Sequence, residues 1–549
     1  MDGITSVTWL LPLAIMCASF DFDSLEIFLC LFFRIAIRWF TLERVPPHSS
    51  KSDISGRQIR HPLEGNRTRR PHLKLKEVRE RQRLQELYSC RFGRLPLEIV
   101  HHIFKFCLPQ SPFIRPKPTD APLLLCHVSR TWKKYAAHNP ELWTSLYVRC
   151  WSSGKGHMSC RQSIHPELMK IWLSRSSPLP ISLHLSAGKQ YYQKPEGREA
   201  FRTIAQILAG EINRCNHLEL DLPTMEATNL FLALLPQDEV LCLESFLIRC
   251  EEERRLPIRL SALFNHSPHL RRLIWKSPNV KARRFLPIVN WNQLVDVRLD
   301  CRLSLVDCFH IIQRSVQLKT CYLYGISIPL FSTLLTGPHT YTSLQDLRLH
   351  STIPINLLIS TLTLPSLNTL QLIFSGNPVE LDAHNSGADL SHFVERSSPP
   401  LRSLMLENLR IPEDDLIRCL LELPTIEEIK IDETASEFLT NELLDALGRL
   451  WPSSEDEGPA HRPRFLCPKL QSIRLGPNIS SADGVFAEMF RKRRDAAGRG
   501  EVCRMKSVHV EFRNGSHVAD EEVKQYRAEG LSFHFYSIPS ILGDMSLNN

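Results

Sequence analysis

Residues 294–299 read Leu-Val-Asp-Val-Arg-Leu, and residues 344–349 read Leu-Gln-Asp-Leu-Arg-Leu. Both stretches follow the pattern L-x-x-L-x-L, with apolar residues at the first, fourth and sixth positions. One polar residue separates the fourth position from the sixth, which is the alternation of a β-strand that buries one face. A single strand of this kind cannot bury its apolar side alone, so the pattern predicts a stack of repeats that share one core.

The pattern recurs along most of the chain. Its copies begin at Cys215, Leu243, Leu270, Leu294, Leu318, Leu344, Leu367, Leu401, Ile426, Leu470 and Met505. Successive copies start 28, 27, 24, 24, 26, 23, 34, 25, 44 and 35 residues apart. The segments between copies, for example residues 303–316, show the apolar spacing of a helix. The sequence therefore predicts strands that alternate with helices in an α/β fold.

These repeats resemble leucine-rich repeats, whose period is about 20–29 residues, over residues 180–512. The resemblance implies a solenoid in which a curved parallel sheet has its helices on the outside. In that family an Asn or Cys stands eight positions after the first leucine, where its side chain satisfies the backbone of a turn. Here those positions hold Arg302, Ile326, Thr352 and Ser375. Because that ladder of side chains is missing, we expect an irregular leucine-rich-repeat solenoid.

Residues 92–148 form a compact block with helical signals. Pro96 fits the first turn of a helix, where its missing N–H costs nothing. Two apolar faces follow on this helix: Leu97, Val100, Phe104 and Cys107 on one, and Ile99, Ile103 and Phe106 on the other. A helix with two apolar faces needs two surfaces to pack against. Asp120 is expected to cap a second helix, and Asn139 a third helix that begins at Pro140.

Three motifs in this block resemble the F-box, in the form found in mushroom-forming fungi. They are L-P-x-E-I-x-x-x-I-F at residues 95–104, V-S-R-x-W at 128–132 and N-P-x-L-W-x-x-L at 139–146. The resemblance implies that the first helix binds a Skp-type adaptor, which links it to a cullin and a ubiquitin-conjugating enzyme. The implied contact residues are Leu95, Pro96, Ile99, Ile103 and Phe104, supported by Leu124, Leu125 and Val128. Trp132 and Trp143 are assigned to the internal core.

The sequence divides into seven segments. They are a hydrophobic segment of uncertain status (1–44), a basic linker (45–72), a helix (73–91), the F-box block (92–148), a connector (149–179), the solenoid (180–512) and a C-terminal tail (513–549). Thirteen Lys or Arg and five Asp or Glu lie within residues 51–94, and this excess accounts for the net charge of +8. The rest of the chain is near neutral, so we expect no nucleic-acid partner.

The expected function is that of a non-catalytic adaptor, with a substrate protein bound by the solenoid. The sequence has no GxxxxGK[ST], HExxH or GxSxG motif, and we expect no cofactor, no metal and no catalytic residues. The polar position between the two buried strand residues should form the substrate face. That face comprises Arg298, Tyr322, Arg348, Met405, Lys430 and Arg474. Its arginines suggest an acidic or phosphorylated segment, although plain solvated strand residues would give the same pattern.

Sixteen cysteines without a CxxC pair indicate reduced thiols and a cytoplasmic or nuclear location. Residues 7–20 and 27–33 are apolar, but neither run reaches the ~20 residues that span a bilayer. We therefore expect no membrane anchor. Two other functions are compatible with the sequence: a leucine-rich scaffold that is not part of a ligase, and a secreted or membrane-anchored repeat receptor.

Overall fold

The computed structural model describes residues 95–151, 165–236, 241–250, 260–328, 337–377, 386–432, 440–451, 464–479, 481–512 and 518–537. The predictions made for residues 1–44, 45–72 and 73–91 lie outside these ranges. The chain divides into two compact units, residues 1–216 and residues 217–549.

The first unit combines short helices with two strands. Its elements are α1 (Leu97–Phe106), α2 (Leu123–Val128), α3 (Arg130–Ala137), a 3-10 turn (Pro140–Trp143), β1 (Ser145–Cys150), α4 (Pro166–Ser176), β2 (Ile181–Ala187), α5 (Lys189–Tyr192), α6 (Pro195–Ala209) and a second 3-10 turn (Ile212–Arg214). Strands β1 and β2 pair in parallel, with Leu146 opposite Leu183. The segment predicted as a connector, 149–179, thus contains the end of β1 and all of α4.

A break between α2 and α3 replaces the single helix expected after Asp120. Ser129 ends α2 with an extended backbone, and its side chain accepts a hydrogen bond from the Trp132 backbone N–H (3.1 Å), which caps α3. The predicted cap at Asp120 is wrong, because α2 begins only at Leu123 and no side chain caps it. Asn139 does precede a turn that begins at Pro140, but its side chain makes no cap.

The core of the first unit is aromatic, as predicted for its tryptophans. Trp143 is buried, lies 4.8 Å from the Trp172 ring in an edge-on contact, and donates from Nε1 to the Ala136 carbonyl (2.8 Å). The Trp132 ring lies 5.0 Å from that of Phe104. Trp132 and Trp143 are therefore core residues.

The second unit alternates strands and helices. Its strands are β3 (Cys215–Leu222), β4 (Ser245–Cys250), β5 (Arg272–Lys281), β6 (Asp296–Ser304), β7 (Thr320–Ile328), β8 (His339–Thr340), β9 (Asp346–Ser351), β10 (Leu362–Thr363), β11 (Thr369–Phe374), β12 (Ser403–Glu407), β13 (Glu428–Asp432), β14 (Leu450–Trp451), β15 (Arg464–Phe465), β16 (Ser472–Ile479), β17 (Ser507–Phe512) and β18 (Ser532–Ser537). Its helices are α7 (Met225–Ala233), α8 (Leu260–Asn265), α9 (Leu305–Arg314), α10 (Asn356–Ser360), α11 (Ser386–Ser397), α12 (Glu413–Leu421), α13 (Asn441–Gly448), α14 (Val485–Gly498) and α15 (Asp520–Ala528).

The sheet of the second unit follows the order of the chain. Strands β3, β4, β5, β6, β7, β9, β11, β12, β13, β16, β17 and β18 lie side by side in that order, each parallel to its neighbour. Two small pairs stand apart from it, β8 with β10 and β14 with β15. The predicted α/β class with a large parallel sheet is confirmed.

The repeat pattern explains this packing. Val297, Leu299, Leu347 and Leu349, at the fourth and sixth positions of two copies, are all buried. Helix α9, inside the segment predicted to be helical, packs against β6 and β7. A capping box starts it, since the Ser304 side chain accepts from the Asp307 N–H (3.1 Å) and the Asp307 carboxylate accepts from the Ser304 N–H (2.9 Å).

Hydroxyl groups replace the missing turn asparagines at two positions. Thr352 contacts the Ile326 carbonyl with both its N–H (2.8 Å) and its Oγ1 (3.4 Å). Ser375 contacts the Ser351 carbonyl in the same way, at 2.8 and 3.5 Å. The side chain therefore supports the turn in these two repeats, although neither residue is the Asn or Cys of the family.

The sheet also continues past residue 512, where the sequence predicted a tail. Helix α15 and strand β18 follow, and β18 pairs in parallel with β17 along its length. The pattern missed this copy because its first position is Gly530, which has a φ of +86°. Phe533 stands at the fourth position and is buried as that position requires.

Candidate interaction surfaces

Helix α1 carries apolar side chains that the described residues of its own unit leave exposed. Val100 and Phe104 are completely buried on one side of the helix. Four other large apolar side chains in and beside the helix are 37–49% exposed: Leu95, Leu97, Ile99 and Phe106. We call these four residues the α1 surface. An apolar cluster of this kind on a folded domain typically marks a contact with another protein.

The predicted adaptor contacts divide between this surface and the core. Leu95, Pro96 and Ile99 are exposed, and Ile103 is half-buried. Phe104 was expected to touch a partner, but it is inaccessible because it packs against Trp132. Leu97 was placed on the same predicted face as Phe104, but it lies exposed in the first turn of the helix.

The supporting residues of the predicted contact are mostly internal. Leu124 and Leu125 on α2 are buried, and Val128 is half-buried. Of these three residues, only Val128 therefore offers area to a partner.

The predicted substrate face is a continuous row across the sheet of the second unit. The strand register places Arg298 opposite Tyr322, and Tyr322 opposite Arg348. The same row continues through Gln371, Met405, Lys430, Arg474, His509 and His534. The predicted face residues from Arg298 to Arg474 thus align across the sheet, and the strand register extends the row to His509 and His534.

A stacked cluster stands in the middle of this row. The guanidinium carbons of Arg298 and Arg348 lie 4.5 and 4.4 Å from the centre of the Tyr322 ring. Arg298 donates from Nε and Nη2 to the carboxylate of Asp296, at 3.0 and 3.2 Å. Arg348 donates in the same way to Asp346, at 3.1 and 3.2 Å, and the Tyr322 hydroxyl donates to Asp346 at 2.7 Å. We call these five residues the Tyr322 platform.

The platform is electrostatically satisfied. Partial burial alone would lower the pKa of Arg298, but the hydrogen bonds and charge of Asp296 outweigh it and leave that pKa raised. Burial, with the hydrogen bond to Asp346, raises the pKa of Tyr322 to about 12. Arg272 adds a further ion pair to Asp296 at 2.7 Å. The two arginines are therefore already paired with carboxylates, which weakens the reason for expecting an acidic or phosphorylated ligand here.

The described part of this sheet face has no surplus of positive charge either. The outward side chains stand at the third, fifth and seventh positions of each copy of the pattern, from β3 to β18. As far as the structure describes them, these positions hold seven Lys or Arg and nine Asp or Glu. The row read from the sequence is basic by itself, but the rows on either side supply the carboxylates. Lys430, for instance, lies 3.5 Å from Glu407 of the neighbouring strand. Arg474 is exposed and forms no ion pair with a described residue.

Arg493 on α14 is a buried cation that sequence analysis did not single out. It is 1% exposed and donates to three carbonyl groups, those of Leu447 (3.0 Å), Leu466 (2.8 Å) and Cys467 (2.8 Å). Burial lowers its pKa. Its bonds go to the last turn of α13 and to the loop after β15, so its role is to hold α14 against the preceding repeat.

The buried cysteines have the environment of core residues. Burial raises the pKa of Cys301, Cys308 and Cys321, so none of these thiols is a ready nucleophile. Within the described ranges, no group of three or more His, Cys, Asp or Glu side chains is placed to hold a metal ion. None of the helices in those ranges is both long and apolar enough to cross a membrane.

Comparison with known proteins finds no family model that matches this chain and no curated protein similar to it.

Proposed function

We propose that this chain is the F-box substrate adaptor of a Skp–cullin–F-box ubiquitin ligase. The α1 surface binds the Skp-type adaptor, and the second unit, a leucine-rich-repeat solenoid, binds the protein to be modified. The observation that carries the proposal is that α1 buries Val100 and Phe104 on one side, whereas Ile99 and Phe106 on the other side are exposed. A helix with this division is stable in its own unit and still has an apolar face to bury in a partner.

The exposed residues support a protein partner through their position as well as their chemistry. Leu95 and Ile99 belong to the L-P-x-E-I motif that resembles the F-box, and they are 40% and 49% exposed. Burial of apolar area contributes roughly 25 cal/mol per Å², so a handful of such side chains supplies a useful part of a binding free energy. Aliphatic and aromatic anchors at the centre of an interface usually contribute most.

The mechanism that follows is proximity. The first unit binds the ligase and the second binds the substrate, so lysines of the substrate come close to the conjugating enzyme at high effective concentration. No residue of this chain has to take part in the chemistry. The place of action is the cytoplasm or nucleus, where ubiquitin ligases of this type work.

The test is a binding assay between the full chain and a purified Skp-type adaptor. Ile99→Asp should weaken binding by about 30-fold or more, since a charge would replace an apolar anchor of the interface. The matched control is Ile171→Asp on α4, which changes a side chain of similar exposure (45%) in the same unit. We expect the control to bind as the unmodified chain does.

Two results would overturn the proposal: absence of binding by the unmodified chain, or equal loss of binding with both variants. A circular-dichroism melt of each variant shows whether the unit is still folded. Because both substituted side chains are exposed, both variants should melt close to the unmodified chain.

A further inference from the structure

We propose that the Tyr322 platform is the centre of the substrate-binding surface. Its ligand is an extended protein segment without net negative charge that carries an apolar or aromatic side chain. The inference deepens the proposed function, because it names the class of substrate that the second unit would bind.

The platform is preorganised. Tyr322 is held between two guanidinium groups, and its hydroxyl is held by Asp346, so little side-chain freedom remains to be lost on binding. Tyr and Arg are the residue types enriched at the energetic centres of protein interfaces. The platform is also accessible, since the side chains of Arg298 and Arg348 are 34% and 35% exposed.

The carboxylates of the platform disfavour an anionic ligand. Asp296 and Asp346 already occupy the Nε–Nη2 edge of each guanidinium, which is one of its two edges that can bind a carboxylate or phosphate bidentately. A phosphate would have to displace these carboxylates or lie beside them, and like charges at such short range repel. Asp300, on the next outward position of β6, adds a third carboxylate to this neighbourhood.

The groups that remain suit an uncharged segment. Each guanidinium has five N–H donors, and the bonds to aspartate use one from Nε and one from Nη2. The two N–H groups of Nη1 and the second of Nη2 can therefore donate to backbone carbonyl oxygens. Towards β4, the row continues from Arg298 to Ile274, a half-buried apolar residue on the outward side of the sheet. An apolar or aromatic side chain of the ligand would pack there while backbone carbonyls accept from the arginines.

The experiment is selection from a display library of short random peptides on the immobilised full chain. Peptides recovered with the unmodified chain should be near neutral and enriched in aromatic or large aliphatic residues. Tyr322→Ala should lower recovery of these peptides by about tenfold or more, the effect expected at the centre of an interface. Tyr322→Phe keeps the ring between the arginines and should retain most of the recovery.

Lys524→Ala is the control, since Lys524 is exposed on α15 and lies outside the predicted substrate face. It should leave recovery unchanged. Recovery of mainly acidic peptides, tighter binding of a phosphorylated version of a selected peptide, or failure to enrich any sequence would each overturn the inference.

The proposal for the α1 surface and the proposal for the Tyr322 platform can be refuted independently of each other. Ile99→Asp should lose the Skp-type adaptor and keep the selected peptides, while Tyr322→Ala should do the opposite. If either variant loses both activities, its melt shows whether the protein is misfolded. A variant that melts normally and still loses both would contradict the assignment of separate surfaces.

Discussion

The α1 surface and the Tyr322 platform are both accessible, but only the platform has its side chains satisfied by contacts with one another. On α1, large apolar side chains are 37–49% exposed and gain free energy only when something covers them. On the platform, the charged groups have already found each other, through bidentate arginine–aspartate pairs and a tyrosine bond of 2.7 Å. The α1 surface would therefore gain free energy by binding a partner, whereas the charged groups of the platform are already satisfied by contacts within their own unit.

This difference bears on how surface residues indicate function. Exposed apolar area indicates binding directly, because water is a poor environment for it. A row of arginines does not by itself indicate an anion site, because carboxylates two positions earlier on the same strand can neutralise it. Asp296 and Asp346 stand in that relation to Arg298 and Arg348.

The largest expected effect is the difference in stability cost between substitutions of a buried and of an exposed side chain of α1. Phe104→Ala removes a completely buried ring and should cost about 3–5 kcal/mol of stability. Ile99→Ala, on the exposed face, should change stability by about 0.5 kcal/mol or less. Amide hydrogen exchange in α1 and α3 measures both. Similar protection losses in the two variants would show that the division into a buried and an exposed face is wrong.

The second-largest expected effect is the loss of local stability when the contacts of Tyr322 within the platform are removed. Tyr322→Ala removes two ring–guanidinium contacts and the bond to Asp346, and we expect a local loss of about 2–3 kcal/mol. Tyr322→Phe removes only the bond and should cost about 1 kcal/mol. Exchange rates of the β6, β7 and β9 amides give these values. Equal losses would mean that the stacking contributes nothing.

The smallest effect is a dependence on pH. The pKa of Tyr322 is raised to about 12 in the folded chain, from an ordinary value near 10. The folded state thus holds this proton more tightly than the unfolded state does, so the contribution to stability is complete below pH ~10 and is lost as the pH rises through about 12. An ultraviolet absorbance titration of the unmodified chain, minus that of Tyr322→Phe, isolates this phenol. Ionisation near pH 10 would show that the hydroxyl is not bound to Asp346.

Periodic features of the sequence predicted the fold well. The alternation at residues 294–299 and 344–349 is a local property of the chain, and it recurs often enough to predict a parallel sheet with intervening helices. The pattern could not predict β18, because Gly530 stands where the leucine would be. Nor could it predict the break at Ser129, where a serine cap interrupts an otherwise helical stretch.

The candidate surfaces were only partly predictable. Leu95 and Ile99 were identified from a motif, and both are exposed. Phe104 belongs to the same motif, but Trp132 covers it. Periodicity places residues on faces of a helix, whereas burial depends on which other element packs against each face, and that information is not local.

The sequence by itself determined the elements: where strands alternate, where helices lie between them, and that α1 has two apolar faces. Only the tertiary structure decided which of those faces stays open and which charges meet across the sheet. The reason is physical. Alternation and helical period follow from the geometry of one segment, but the pairing of Tyr322 with Asp346 depends on the register between two strands. That register is set by the packing of the whole core.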